Sequence, residues 1–399
     1  MSTSVAAASR VGVPARTAAW IGIALAALAW YLALPPMLIR SPVPSLLIAA
    51  AALAAGIYAV REDERRLGWI AVAVSVIAAI GAVAATQSGE GNLERVFVWS
   101  ALIAAMLRFA TPLIFAAMGG ILSERSGVIN IGLEGMMLMG AFFGIFGADI
   151  FGSWFLGIAV GLGAGALLGL VHAFVSISLR ADQVVSGTAI NFLAVGITGY
   201  VFIYHYGDQG TPGTISRVPD VTIPLVDEIP FIGDAIGKMS WLTLSALVLV
   251  PLLTVYLFRT RSGLRLRSVG EKPRAADSVG LPVIRTRYLA VVASGALSAI
   301  GGVYLSTGLL GSFSQEMTAG RGFIALAAVI FGSWRPVGAM IGALLFGFSS
   351  ALARRLPVFS ESTAVLFEAL PYVLTLVVVA GVIGRSRPPA AIGVPYVKE

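Results

Sequence analysis

Residues 123–135 read SERSGVINIGLEG and stand between two apolar runs. They place Glu124, Arg125, Asn130 and Glu134 beside Gly127, Gly132 and Gly135. Beyond them only Met136–Ala148 is continuously apolar. Those residues span about 20 Å at the helical rise, short of a hydrocarbon core of ~30 Å. Irregular polar backbone at membrane depth survives only inside protein or beside a water-filled cavity. The stretch is therefore expected to interrupt a helix within a membrane protein. A counterpart follows later: GSFSQEMTAGRG, residues 311–322, precedes a second short apolar stretch, Phe323–Trp334. Paired Gly-interrupted segments of this kind point to a transport pathway. Their direct self-similarity is limited to Gly127, Ile129 and Ile131 against Gly322, Ile324 and Leu326. The plainer alternative is that both are turns, with Glu134 capping a helix that begins near Met136. Asn130, set among apolar residues, needs partners under either reading.

The whole chain agrees with a membrane location. Of 399 residues 58% are apolar and 12% charged, and the mean hydropathy is +0.91. A soluble domain carries roughly 25% charged residues, so a soluble enzyme is excluded. The 46 glycines suggest close helix packing in lipid. With no cysteine there are no disulfides, thiolate metal sites or iron–sulfur clusters, and the two histidines leave little for a metal site. The net charge of +7 is read as cytoplasmic arginine rather than as a nucleic-acid surface.

Apolar runs are expected to form spans at 17–35, 44–60, 67–85, 96–121, 128–150, 154–179, 184–206, 239–258, 286–309, 322–334, 335–352 and 365–384, about twelve in all. With the N-terminus inside, the inner segments hold 19 Lys and Arg residues and the outer segments 7, which puts both termini in the cytoplasm. Arg108 falls within the fourth run. There Thr111-Pro112 leaves a second possibility, an interfacial piece followed by a half-length helix. The outer loop 206–238 carries Pro212, Pro219, Pro224 and Pro230 and cannot be one helix.

Other polar groups fall inside the spans: His172, Gln183, Asn191 and Glu368. Asp182 and Gln183 are expected to cap the following helix, and His172 to be a satisfied packing residue. The series Gly157, Gly161, Gly165, Gly169 makes a bare helix face for close contact. A nucleotide-binding loop is absent: Gly233–Met239 has the wrong spacing and no Ser or Thr for magnesium. There is no HExxH and no GxSxG. A pump of this composition uses an ion gradient or borrows an ATPase. Acidic residues deep in spans would mark ion coupling, and Glu134 and Glu368 are the candidates. A borrowed ATPase would dock on the basic inner loop 259–287. Within it, Pro273–Val279 suits a two-turn helix with small residues on one side, ended by Gly280.

ERSGVINIGLEGMMLMGA (124–141), VGEKPRAADSVGL (269–281) and GRGFIALAAVIFGSWRPVGAMIGALLFG (320–347) resemble the permease subunits of ABC importers for ribose, branched-chain amino acids and nucleosides. The form SGVINIGLEG is most similar to the nucleoside branch. The resemblance implies an all-α polytopic membrane protein with broken half-helices and two inversely related halves around a central pathway. It implies that residues 96–384 are the permease core, with 1–95 an added three-span segment and 385–399 a cytoplasmic tail. It implies that the coupling segment, with Glu271, Pro273, Ala275, Ala276 and Gly280, touches a separate ATPase, a tandem cassette. A second permease subunit and an extracellular substrate-binding lipoprotein are the other implied partners, in the plasma membrane; no cofactor is implied. A nucleoside passage should offer apolar walls with a few neutral donors and acceptors. Asn130, Glu134, Gln183, Asn191, Phe313 and Gln315 are the expected pathway residues. Sugar or branched-chain amino acid specificity, or an ion-coupled secondary transporter, are the competing readings.

Overall fold

The computed structural model describes residues 14–33, 41–87, 98–355 and 387–397. Ten of its helices are long and apolar enough to cross a bilayer, and a further apolar helix is shorter. The chain is an all-α, multi-pass membrane protein. The expected span 365–384, with Glu368, lies outside the described residues. The chain divides into two compact units, Met1–Val98 with Ala353–Gly384, and Trp99–Leu352 with Arg385–Glu399.

In the first unit three helices follow one another: α1 (Ala15–Ala33), α2 (Pro42–Arg61) and α3 (Arg65–Gln87), within two residues of the expected spans. Their shared core is built from Ala26, Ala29, Ala49, Ala52 and Ala78. Small side chains let backbones approach where lipid offers no hydrophobic drive to association. The start of α2 is set by Ser41, whose hydroxyl accepts from the Val43 N–H at 3.4 Å, and by Pro42 at the first helical position.

The second unit begins with α4 (Trp99–Arg125), α5 (Leu133–Phe151), α6 (Trp154–Ala173) continued by a π-helical turn to Ser178, and α7 (Gln183–Tyr206). The long loop that follows folds into a small antiparallel hairpin, β1 (Asp220–Thr222) against β2 (Lys238–Ser240), with Val221 opposite Met239. Then come α8 (Trp241–Arg259), α9 (Arg261–Glu271), α10 (Pro273–Ser278), and α11 (Val283–Val303) continued by a π-helical stretch to Leu310. Two more helices, α12 (Arg321–Phe331) and α13 (Pro336–Ala353), complete it, with residues 387–397 packed back onto it. One end of this bundle carries the hairpin. The other carries the turn before α5, α9 and α10, and the tail.

The centre of the unit is α5 against α11. A Cβ on Gly140 would overlap the Ala299 backbone, and one on Gly302 would overlap the Met137 carbonyl. The glycine series of α6 packs as its spacing predicts. Gly157 and Gly161 lie against Gly144 and Gly140 of α5, and Gly165 and Gly169 against Gly295 and Val291 of α11.

Three expectations need correction. The helix after the first break is not short: α5 starts at Leu133, and its 19 residues reach about 28 Å. Glu134 and Gly135 join the helix because partners from elsewhere satisfy their polar groups. The possible division of the fourth span does not occur, since α4 runs 27 residues straight through Pro112. Thr111 holds the turn by donating to the Leu107 carbonyl at 2.7 Å, within fully packed surroundings. The expected span 322–334 is a half-length helix: α12 has 11 residues, about 16 Å.

Candidate functional site

Residues 126–132 leave the helical path between α4 and α5, so their peptide groups need partners from outside the segment. Side chains of α6 and α7 supply them. The Ile129 N–H donates to Gln183 Oε1 at 2.7 Å, and the Ile129 carbonyl meets His172 Nε2 at 2.9 Å. Asn191 serves two groups: its Oδ1 accepts from the Gly135 N–H at 2.8 Å, and its Nδ2 donates to the Ile131 carbonyl at 3.1 Å. Ser186 lies 2.9 Å from His172 Nδ1. Gln183 is therefore not a cap of its own helix; Asp182 is, accepting from Val184 and Val185 at 2.8 and 2.9 Å.

Asn130 is fully buried but does not bond the peptide groups of the break. Its Nδ2 donates to Ser294 Oγ of α11 at 2.9 Å and lies 3.4 Å from the Met136 sulfur. The Asn130 Oδ1 and Gln183 Nε2 atoms are buried without a hydrogen-bond partner. Asn191→Leu removes the partners of Gly135 and Ile131 together. Each buried orphan costs about 1–3 kcal/mol. Thermal unfolding of the purified variant should show a loss of that order for each group, whereas an unchanged melting temperature would deny the bonds their role.

Glu134 joins the first break to the second. Its Oε1 accepts from the Gly320 N–H at 2.8 Å and its Oε2 from the Gly322 N–H at 2.5 Å. A carboxyl group in the first turn of α5 thus caps the N-terminus of α12, where the helix dipole favours an acceptor. A Cβ on Gly322 would come 2.8 Å from Glu134 Oε2, so only glycine admits the clasp without displacement. The far end of α12 is tied to α4. Arg125 Nε donates to the Trp334 carbonyl at 3.0 Å, and the Trp334 indole N–H donates to Glu124 Oε2.

The remaining expected pathway residues separate. Phe313 is buried in an aromatic cluster, 5.1 Å from Phe142 and 5.3 Å from Phe202 between ring centroids. Gln315 is exposed.

At the same end as the first break, α9 and α10 carry the expected coupling segment. Pro273 opens α10, and Gly280 beyond its end has φ 82°, a left-handed conformation suited to glycine. The small-residue face is divided: Ala275 is exposed, whereas Ala276 packs inward on Val269, Val283 and Tyr396. Ala276 is therefore unavailable to a partner. Glu271 stays exposed but is tied within the chain, 4.0 Å from Arg125 Nη1 and accepting from the Ala390 N–H at 3.1 Å.

Two elements escape the sequence reading. The tail bonds both neighbours: the Ala391 N–H to the Gly270 carbonyl at 2.9 Å, and the Gly393 N–H to the Gly127 carbonyl at 3.1 Å. Arg287 closes the basic loop 259–287 in sequence, yet it is 1% exposed. It donates to the Ser126 carbonyl and the Val394 carbonyl, each at 3.1 Å. Its spacing from Val291, Gly295 and Ser298 on the buried face of α11 is the signal that could have found it.

A broken segment clasped to a half-length helix, within a bundle of helices long enough to cross a bilayer, is the arrangement that membrane transporters build around their pathways. Residues 102–379 match the family described as the branched-chain amino acid transport system / permease component, and the chain belongs to that family. It is 42% identical over 318 residues to the guanosine ABC transporter permease protein NupQ of Bacillus subtilis, covering 77% of this chain and 99% of that one. It is 41% identical over 308 residues to the nucleoside ABC transporter permease protein NupC of Lactococcus lactis, covering 75% and 97%. At greater distance, the glucose ABC transporter permease protein TsgB13 of Haloferax volcanii is 25% identical over 260 residues, covering 59% and 65%. No solved structure matches the chain.

Proposed function

We propose that the chain is the permease subunit of an ATP-driven importer and that it carries a nucleoside into the cell. The observation that carries this reading is the 42% identity to a guanosine permease along 99% of that protein's length. A separate ATPase of the tandem-cassette kind, a second permease chain and an extracellular binding lipoprotein complete the importer. The charge asymmetry, 19 against 7, supports a plasma-membrane orientation with both termini and the break end inside. Residues 1–95 are an added segment, which fits a family match beginning at 102.

In this reading the solute passes where Asn130, Glu134, Gln183 and Asn191 interrupt the helices. An unpaired acceptor and an unpaired donor, Asn130 Oδ1 and Gln183 Nε2, give that region polar groups to offer when it opens. The ATPase pushes on α9 and α10. Ala276 supports α10 from beneath, and the outward contact is made by Ala275 and by Val279, which is 75% exposed. Ala275→Trp should uncouple ATP hydrolysis from uptake while leaving the melting temperature unchanged. Normal uptake by that variant at normal expression would remove α10 from the coupling path.

The reading is tested by uptake of labelled guanosine into cells that express the chain with its neighbouring transport subunits. Uptake should vanish when the ATPase is inactivated and persist under a protonophore. Protonophore-sensitive, ATPase-independent uptake would make the chain an ion-coupled transporter. Uptake of glucose in place of guanosine would favour the sugar reading that the relation to TsgB13 keeps open.

A further inference from the structure

We propose that a cavity beneath the hairpin is a subsite for a single hydroxylated ring, the ribose of the transported solute, on its way to the break. The proposal rests on the nucleoside reading above. The cavity has a volume of about 170 Å³ and is bounded by α4, α8, the π-helical stretch after α11, and the hairpin. It lies at the end opposite the break, the side that the charge asymmetry assigns to the outside.

Its polar lining is unusual for a membrane bundle. Arg108 lies nine residues into α4, about 14 Å from the start of that helix. An arginine within an apolar span is costly and normally serves a pathway or a paired charge. The Arg108 side chain is exposed and makes neither a hydrogen bond nor an ion pair among the described residues, and the same holds for the exposed side chains of Asp220 and Lys238 across the cavity. Asp220 stands opposite Ser240 in the hairpin, and Lys238 lies two residues from Ser240 on the same strand, so alternation places these side chains on one face. All of them border the cavity. Thr243 and Tyr304 complete the lining; Thr243 is fixed 3.1 Å from Thr111 Oγ1, and the Tyr304 side chain is buried.

The chemistry of this set selects its ligand. Arg108 and Lys238 only donate, Asp220 accepts, and the hydroxyls do both. An anion would meet Asp220, and a cation would meet two positive groups. A neutral polyol satisfies all of them, because each sugar hydroxyl is both donor and acceptor. The volume sets the size. Drug-sized ligands occupy pockets of roughly 300–1,000 Å³, so this cavity admits one ring and leaves the base outside it.

The test compares uptake of a ribonucleoside with that of its 2′,3′-dideoxy analogue, in the complete transporter, for wild type and Arg108→Gln. The binding lipoprotein is common to both, so the ratio of ratios isolates the permease. In the variant the KM for the ribonucleoside should rise about tenfold, as expected for one lost charged hydrogen bond, while the KM for the analogue stays constant. An unchanged ribonucleoside KM, or an equal change for both solutes, overturns the subsite. If Arg108→Gln fails to assemble, Asp220→Asn and Lys238→Met on the exposed hairpin carry the same comparison. Failure of the underlying reading is separate: wild type itself would then take up neither nucleoside.

Discussion

Glu134→Gln is expected to lower the stability of the protein by about 1–4 kcal/mol and to abolish most uptake, although it preserves shape and polarity. Both carboxyl oxygens are engaged, one by the Gly320 N–H at 2.8 Å and the other by the Gly322 N–H at 2.5 Å. Glutamine keeps one acceptor and turns an NH2 group toward the second amide, donor against donor. That leaves an orphaned N–H at the start of α12, costing about 1–3 kcal/mol, and weakens the match to the helix dipole by a further ~0.3–1 kcal/mol. Glu134→Asp shortens the reach and should behave similarly, because Gly322 sits too close for the carboxyl group to be replaced by an approach from another angle. Thermal unfolding in detergent and uptake in cells measure the two effects. Wild-type values for both would reduce the clasp to an incidental contact. Lost uptake with retained stability would give Glu134 a direct role toward the solute instead.

The sequence announces such a site without saying what it binds. Polar residues between apolar runs at 123–135 and 311–322 mark both breaks, because membrane helices tolerate them only with a reason. The strict spacing of Gly157–Gly169 marks a packing face because a period near four keeps residues on one side of a helix. What pairs with what is not legible, since those partners are set by tertiary approach. The acceptor for Gly320 lies 186 residues earlier, and the partner of Asn130 is Ser294, 164 residues later. The same ignorance reverses Ala276. Its spacing in PRAADSVG marks a small face, but the occupant of that face is Tyr396 of the same chain. Asn191 and Gln183 were legible as intramembrane amides. Their task is to replace the missing helical bonds of the break, which a single chain's polarity pattern does not distinguish from lining a passage.

Removing residues 387–399 is expected to leave an inserted protein that hydrolyses ATP with its partner but imports little. The tail bonds both the first break and the coupling segment, beside the direct packing of Gly270 on the Arg125 and Gly127 backbone. Gly393 holds the Gly127 carbonyl, Ala391 holds the Gly270 carbonyl, and Tyr396 lies under Ala276. Arg287 stands at the crossing, with one donor on Ser126 and another on Val394. A push on α10 therefore reaches the break through packed backbone, without relying on exposed loops. Arg287→Ala should cost about 1.5–4.5 kcal/mol, because the buried Ser126 carbonyl is orphaned and the Val394 carbonyl loses a bond nearer the surface. Arg287→Lys should fall between, since a single ammonium cannot reproduce two donors diverging from a planar fork. The measurement is the ratio of ATP turnover to solute imported in the complete transporter. A truncated chain with the wild-type ratio would show that the coupling helix acts on the break directly. A raised ratio, with Tyr396→Ala matching the truncation, would place the tail in the line of force, because Tyr396 shares a buried cluster with Ala276, Val269 and Val283.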